Sequence, residues 1–218
     1  MNKEKTYDKE FLIQLGIVAI LALLLVYNLG RSSVSQGVSP ADIVAGIPQA
    51  DFLPIGVPAI YGSEMGISYD DVSPSNQRLA DATISKLTEY EDEVLSAQLL
   101  ERYIRIGSSI SCEYCCGADS IIFSNGARAC GCAHSYAMRG LAKYLLIEHG
   151  DEFSDIEILE ELGKWKVLFF PGIHAEKAAA LDAEGIDYTD FVNLASNKYR
   201  GIEQGKSVGS SSEMVGGC

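Results

Sequence analysis

Between Cys112 and His134 the chain carries five of its six cysteines and one of its three histidines. Cys112 and Cys115 form a C-x-x-C knuckle that runs straight into Cys116 and Gly117, and Cys130-Gly-Cys132-Ala-His134 follows after twelve residues. Thiolates and imidazole are the ligands that zinc, Cu(I) and iron–sulfur clusters favour. The spacing predicts a metal centre on Cys112, Cys115, Cys130 and Cys132, with Cys116 and His134 as two further candidates. Zinc is the first choice of ion, with copper or an iron–sulfur cluster as alternatives. Met138, one turn beyond His134, is either a thioether ligand or a core residue in line with Leu141 and Leu145.

Two other uses of these cysteines stand beside the metal reading. An even number of cysteines permits a disulfide framework, but bridges inside so short a stretch would close small loops and stabilise little. A thiol–disulfide protein working through Cys112, Cys115 and Cys218 is the other. The C-x-x-C here precedes a predicted turn, however, and the βαβ surroundings of a thioredoxin-like motif are absent.

The elements that must position these ligands can be read around them. Ser124-Asn125-Gly126 stands between Ile121-Ile122-Phe123 and Ala127-Arg128-Ala129, a strong local signal for a β-hairpin. A helix from about Ala133 to Glu148 follows, so Cys130 and Cys132 fall at its N-terminus, where thiolate is favoured. Knuckle, hairpin and helix start together predict a treble-clef-like Cys/His site. Further helices are expected from Ser73-Pro74 to about Glu89, from Ser96 to Ile106 with Gly107 as the stop, and from the capping box Ser154–Glu157 onward. Two more are expected over about Ala175–Glu184 and Tyr188–Tyr199. His149 and His174 read as ordinary helix-end histidines, and Glu157, Glu160 and Glu161 as a solvated face. No Ser-His-Asp order, phosphate-binding glycine loop or H-E-x-x-H is present.

Seventeen Lys and Arg against thirty Asp and Glu give a net charge of −13, a surface that repels nucleic-acid phosphate. No nucleic-acid partner is therefore expected. Residues 11–29 contain no charge, and at ~1.5 Å per residue they would span roughly 28 Å as a helix, near the hydrocarbon thickness of a bilayer. Lys3, Lys5 and Lys9 precede this run, so the lysine side is expected in the cytoplasm. A cleaved signal peptide is the competing reading. The sequence thus divides into a cytoplasmic 1–10, a transmembrane 11–29, a Pro/Gly/Ser-rich spacer 30–75, a helical cysteine-rich domain 76–200 and a flexible tail 201–218.

Tyr114-Cys115-Cys116-Gly117 and Cys130-Gly-Cys132-Ala-His134 resemble the PCYCGC-motif proteins, cell-surface proteins whose Cys-Gly-Cys is followed closely by histidine. This chain lacks the lipoprotein cysteine of that group. The block 110–175, through Ala137-Met138-Arg139-Gly140-Leu141-Ala142-Lys143-Tyr144-Leu145 and Trp165–Gly172, is similar to a prokaryotic family of membrane-anchored cysteine-rich proteins. The resemblance implies metal handling at the cell surface and supplies no activity. The expected molecule is a single-span cell-membrane protein with its C-terminal domain outside the cytoplasm. Its fold class is mainly α, with an N-terminal transmembrane helix and one small β-hairpin in the metal site.

Overall fold

The computed structural model describes residues 52–204 and 214–217, together with Val18. The chain divides into two compact units, 1–39 and 40–218, and all that follows concerns the second. Seven α-helices occur among the described residues: α1 (Gly62–Met65), α2 (Gln77–Thr88), α3 (Ala97–Ser108), α4 (Ala133–Glu148), α5 (Asp155–Phe169), α6 (Pro171–Ala183) and α7 (Phe191–Ala195). Two 3-10 turns, Tyr69–Asp71 and Asn197–Tyr199, complete them. Helix α4 is central and packs against α2, α3 and α5.

Local chemistry sets most of the boundaries. Ser154 and Glu157 close a reciprocal capping box that starts α5, satisfying two N–H groups that the first helical turn cannot. Pro171 then stands at the first position of α6, with Phe170 capping both helices. Its missing N–H costs nothing there, because that group has no intrahelical partner anyway. Helix α2 begins later than the sequence suggests. Asn76 N–H donates to the Ser73 carbonyl, so Ser73–Asn76 is a turn with Pro74 at its second position. The Asn76 side chain then caps the helix by accepting from Leu79 N–H.

Two glycines lie inside helices for reasons of space. Gly107, expected to end α3, is within it, and a Cβ there would sit 2.6 Å from Ile122 Cδ1. Gly140 of α4 would place a Cβ 2.2 Å from the Leu87 carbonyl oxygen and 2.9 Å from Thr88 Cα. Its absence lets the backbones of α4 and α2 approach closely.

The expected β-hairpin is not formed: among the described residues there is no strand, only a single antiparallel bridge between Ile122 and Arg128. The Asn-Gly turn is real, with Phe123 N–H donating to Ala127 O at 2.7 Å and Gly126 at φ +82°. Beyond it Ala129 N–H donates to Ile121 O at 3.3 Å, but the flanks do not extend into a regular ladder. Ile121 and Ile122 are both fully buried, whereas neighbours along a strand point to opposite faces. Arg139 also takes the carbonyls of Ile121 and Cys130, at 3.0 and 2.9 Å.

The membrane expectation is also corrected. Segment 11–29 lies outside the described residues, Val18 apart, and no helix among the described residues is long and apolar enough to cross a membrane. The longest of those in the second unit, α4, has sixteen residues, or roughly 24 Å at ~1.5 Å each, and contains Arg139 and Lys143. The single-span membrane partner and the cell-membrane localisation with an outer C-terminal domain are withdrawn on that finding.

The α2–α4 contact makes a sharp prediction. Gly140→Ala gains helix propensity but forces a methyl into backbone, and overpacking of this kind costs about 1–3 kcal/mol. Gly172→Ala, at a helical position where a Cβ meets nothing within 4 Å, gains propensity without a clash. Thermal unfolding is expected to show the first variant several degrees below the parent and the second at or slightly above it. Equal melting temperatures for both would remove the close-contact argument.

Candidate functional site

The sulfur cluster is assembled from two loops and a helix start. After α3, the buried Ser111 and Cys112 enter a tight turn in which Cys115 and Cys116 N–H groups both donate to the Cys112 carbonyl at 3.3 Å. Gly117, at φ +69°, lets the chain turn away. In that turn Cys112 faces the core while Cys115 is exposed. The side chain between them, Glu113, also points inward, to Lys166 Nζ at 3.1 Å and Arg200 Nε at 2.9 Å.

From the other side, Cys132 is the N-cap of α4, and its Sγ accepts from Ser135 N–H at 3.4 Å. A sulfur at this position takes over the role usually played by a Ser or Asp oxygen, at the positive end of the helix dipole. Cys112 Sγ lies 3.2 Å from Cys132 Sγ, and Cys130 Sγ lies 3.4 Å from it. Cys130 is joined to Cys116 by a disulfide. The hydrogen bond from Cys112 holds the Cys132 thiol well below its ordinary range, and bonds involving His134 and Ser135 act the same way against the opposing effect of burial. The same bond and the same burial keep Cys112 protonated. The two shifts run in opposite directions, Cys132 toward the thiolate and Cys112 toward the thiol.

His134 is fully buried between Phe169 and Phe170, with ring centroids 4.7 and 4.9 Å away. Its Nε2 lies 2.8 Å from the Val215 carbonyl oxygen. A carbonyl only accepts, so Nε2 carries a hydrogen, and in the neutral ring Nδ1 is an acceptor, the nitrogen with a lone pair that can ligate a metal. Val215 belongs to a short C-terminal strap. Its own N–H donates to Phe169 O at 2.9 Å, Gly216 N–H to Gln77 Oε1 at 2.8 Å, and Gly217 N–H to Asp81 Oδ1 at 2.9 Å.

Two groups of donors result, each with its ligand atoms within 4.8 Å of one another. One is Cys112, Cys132 and His134, all buried; the other is Cys116, Cys130 and Cys132, with Cys116 exposed. Of the predicted ligands, Cys112, Cys130 and Cys132 are brought together, and so are the two surplus candidates Cys116 and His134. Cys115 stands outside both groups. Met138 is buried in the hydrophobic core, and Cys218 lies outside the described residues. His149 is held by Tyr144, Glu64 and Glu152, and His174 Nδ1 donates to Phe170 O at 2.8 Å; neither joins the sulfurs.

Sequence reasoning did not find Ser135, Arg139 or Val215 as parts of the site. Ser135 had a signal, since the third residue of a helix is where an N-cap side chain finds its donor. Val215 had none, lying in a Gly/Ser-rich tail that suggests no packed element. Compared with family models, curated proteins and solved structures, the chain matches none of them.

The strap is predicted to fix the His134 tautomer. Gly216 has φ +83°, and a Cβ there would lie 2.2 Å from Ile84 Cδ1 and 3.5 Å from His134 Nε2. Gly216→Ala should therefore lift the Val215 carbonyl from the ring. Imidazole nitrogen NMR is expected to show Nε2 protonated in the parent and a mixed tautomer in the variant. An unchanged spectrum would mean that the strap does not set the ring's protonation.

Proposed function

We propose that this chain binds one soft or borderline metal ion through Cys112, Cys132 and His134, zinc first and Cu(I) second. The observation that carries this reading is the His134 arrangement. A buried imidazole grouped with two converged sulfurs has Nε2 on a backbone carbonyl, the kind of partner that metal-ligating histidines characteristically give their non-ligating nitrogen. Zn–S and Zn–N bonds of ~2.3 and ~2.0 Å at tetrahedral angles put two sulfurs ~3.8 Å apart and a sulfur and a nitrogen ~3.5 Å apart. The 3.2 Å between Cys112 Sγ and Cys132 Sγ is about 0.6 Å short of the sulfur–sulfur value, so loading needs only a small separation of the sulfurs. Two thiolates and a neutral imidazole give a zinc ion a charge-balanced buried site. An iron–sulfur cluster fits less well, because Cys116 and Cys130 are bonded to each other.

Cobalt or zinc added to the purified full chain is expected to bind at one ion per chain, with thiolate-to-cobalt charge-transfer absorption. Cys112→Ser and Cys132→Ser should each weaken binding at least ~100-fold, the upper end of what losing a mere supporting contact costs. Loading should also raise the melting temperature, since a ligand at ~100 times its Kd stabilises by ~2.7 kcal/mol. Binding undiminished in Cys132→Ser would overturn the reading.

One distance favours a second reading, thiol–disulfide exchange: Cys132 Sγ is 3.4 Å from a sulfur of the Cys116–Cys130 disulfide. On that reading, Cys132→Ser abolishes exchange with small thiols in protein that holds no metal.

A further inference from the structure

We infer that reduction of the Cys116–Cys130 disulfide creates a second metal position, formed by Cys116, Cys130 and Cys132 and sharing the Cys132 sulfur with the first. This rests on the metal-binding reading above and extends it from one ion to a thiolate-bridged pair. The carrying observation is that the five donors do not form one set. They form two triads whose only common member is Cys132. Had Cys130 been a fourth ligand for the first ion, its sulfur would lie within the same 4.8 Å of Cys112, Cys132 and His134, and it does not join them. Cys132 Sγ has close sulfur neighbours on both sides, Cys112 at 3.2 Å and Cys130 at 3.4 Å, which is the placement a bridging thiolate requires.

Charge agrees with two ions. With the disulfide closed, the thiolates of Cys112 and Cys132 balance one divalent cation. With it open, four thiolates balance two. A buried site is far less costly when its charges cancel, and here they cancel in both redox states. Access also agrees. The first triad is buried throughout, whereas Cys116 is exposed, so reductant and second ion can both arrive from its side.

The chemical step balances with a phosphine as reductant. The Cys116–Cys130 S–S bond breaks, the phosphine is oxidised to its oxide, and water supplies the oxygen and the two protons that leave both sulfurs as thiols. Those protons are then released when the thiolates take up an ion, as ligation requires. Zinc is a suitable probe, since it has no redox chemistry to disturb the disulfide.

The test is to count zinc ions on the intact chain by native mass spectrometry, once as oxidised protein and once after phosphine reduction and anaerobic removal of the reductant. One ion is expected on the oxidised chain and two on the reduced chain. Reduced Cys116→Ser is expected to keep only the inner ion, and reduced His134→Ala only the outer one. One ion on the reduced parent, or two on reduced Cys116→Ser, would overturn the second position while leaving the first in place. No ion in either redox state would sink the metal-binding reading, and this inference with it. The parent comparison needs no substitution, so a variant that fails to fold does not blunt the test.

Discussion

The buried ion pair between Arg139 and Glu91 is the contact on which the cysteine loop depends. Both side chains are essentially without solvent contact, and Nε to Oε1 is 2.7 Å. Charges withdrawn from water are expensive unless paired and hydrogen-bonded. Arg139 therefore constrains everything within its reach. Its Nη1 holds the carbonyls of Ile121 and Cys130, fixing both ends of the segment that carries the Asn-Gly turn. Glu91 also receives Arg128 from within that segment. One guanidinium on the central helix thus sets where Cys130 stands relative to Cys132, and hence the spacing of the sulfurs.

A second buried network backs the site from the opposite side. Glu113, inside the C-x-x-C knuckle, is paired with Lys166 of α5 and with Arg200. Lys166 also donates to Ala195 O at 2.8 Å, so the knuckle, α5 and the end of α7 are tied at one point. Burial lowers the basicity of Lys166, and burial together with Lys166 brings the nearby Lys177 down to about 8. His174 is pushed well below its usual range, first by burial and then by Lys166. The sulfurs accordingly sit in a domain whose interior is crowded with groups that resist carrying positive charge. Cations there are tolerated only where anions or carbonyls meet them, and thiolates satisfy the same condition.

The C-terminal strap shows how a short segment docks with two apolar side chains, Met214 and Val215, against the core. Val215 is fully buried, and the N–H groups of the glycines beside it find Gln77 and Asp81 on α2. The strap joins α2, the end of α5 and His134 in one small hydrogen-bonded patch. The imidazole is thereby oriented by the chain's far end, eighty-one residues away.

The sequence by itself determined the helices whose ends carry their own chemistry. Ser96 capping α3, the Ser154–Glu157 box and the helix start at Ala133 are local bonds between residues two or three apart, so they need no tertiary information. The clustering of cysteines marked the site. Tertiary structure decided the rest. Whether Cys112 or Cys115 faces inward depends on the Glu113 ion pairs formed with residues far along the chain. Whether Asn125-Gly126 closes a ladder or a lone bridge depends on the pull of the core on both Ile121 and Ile122, and on Arg139 reaching their carbonyls. The link from Val215 to His134 left no trace in either segment. Each of these is a contact between distant residues, and its strength depends on burial that no local pattern records.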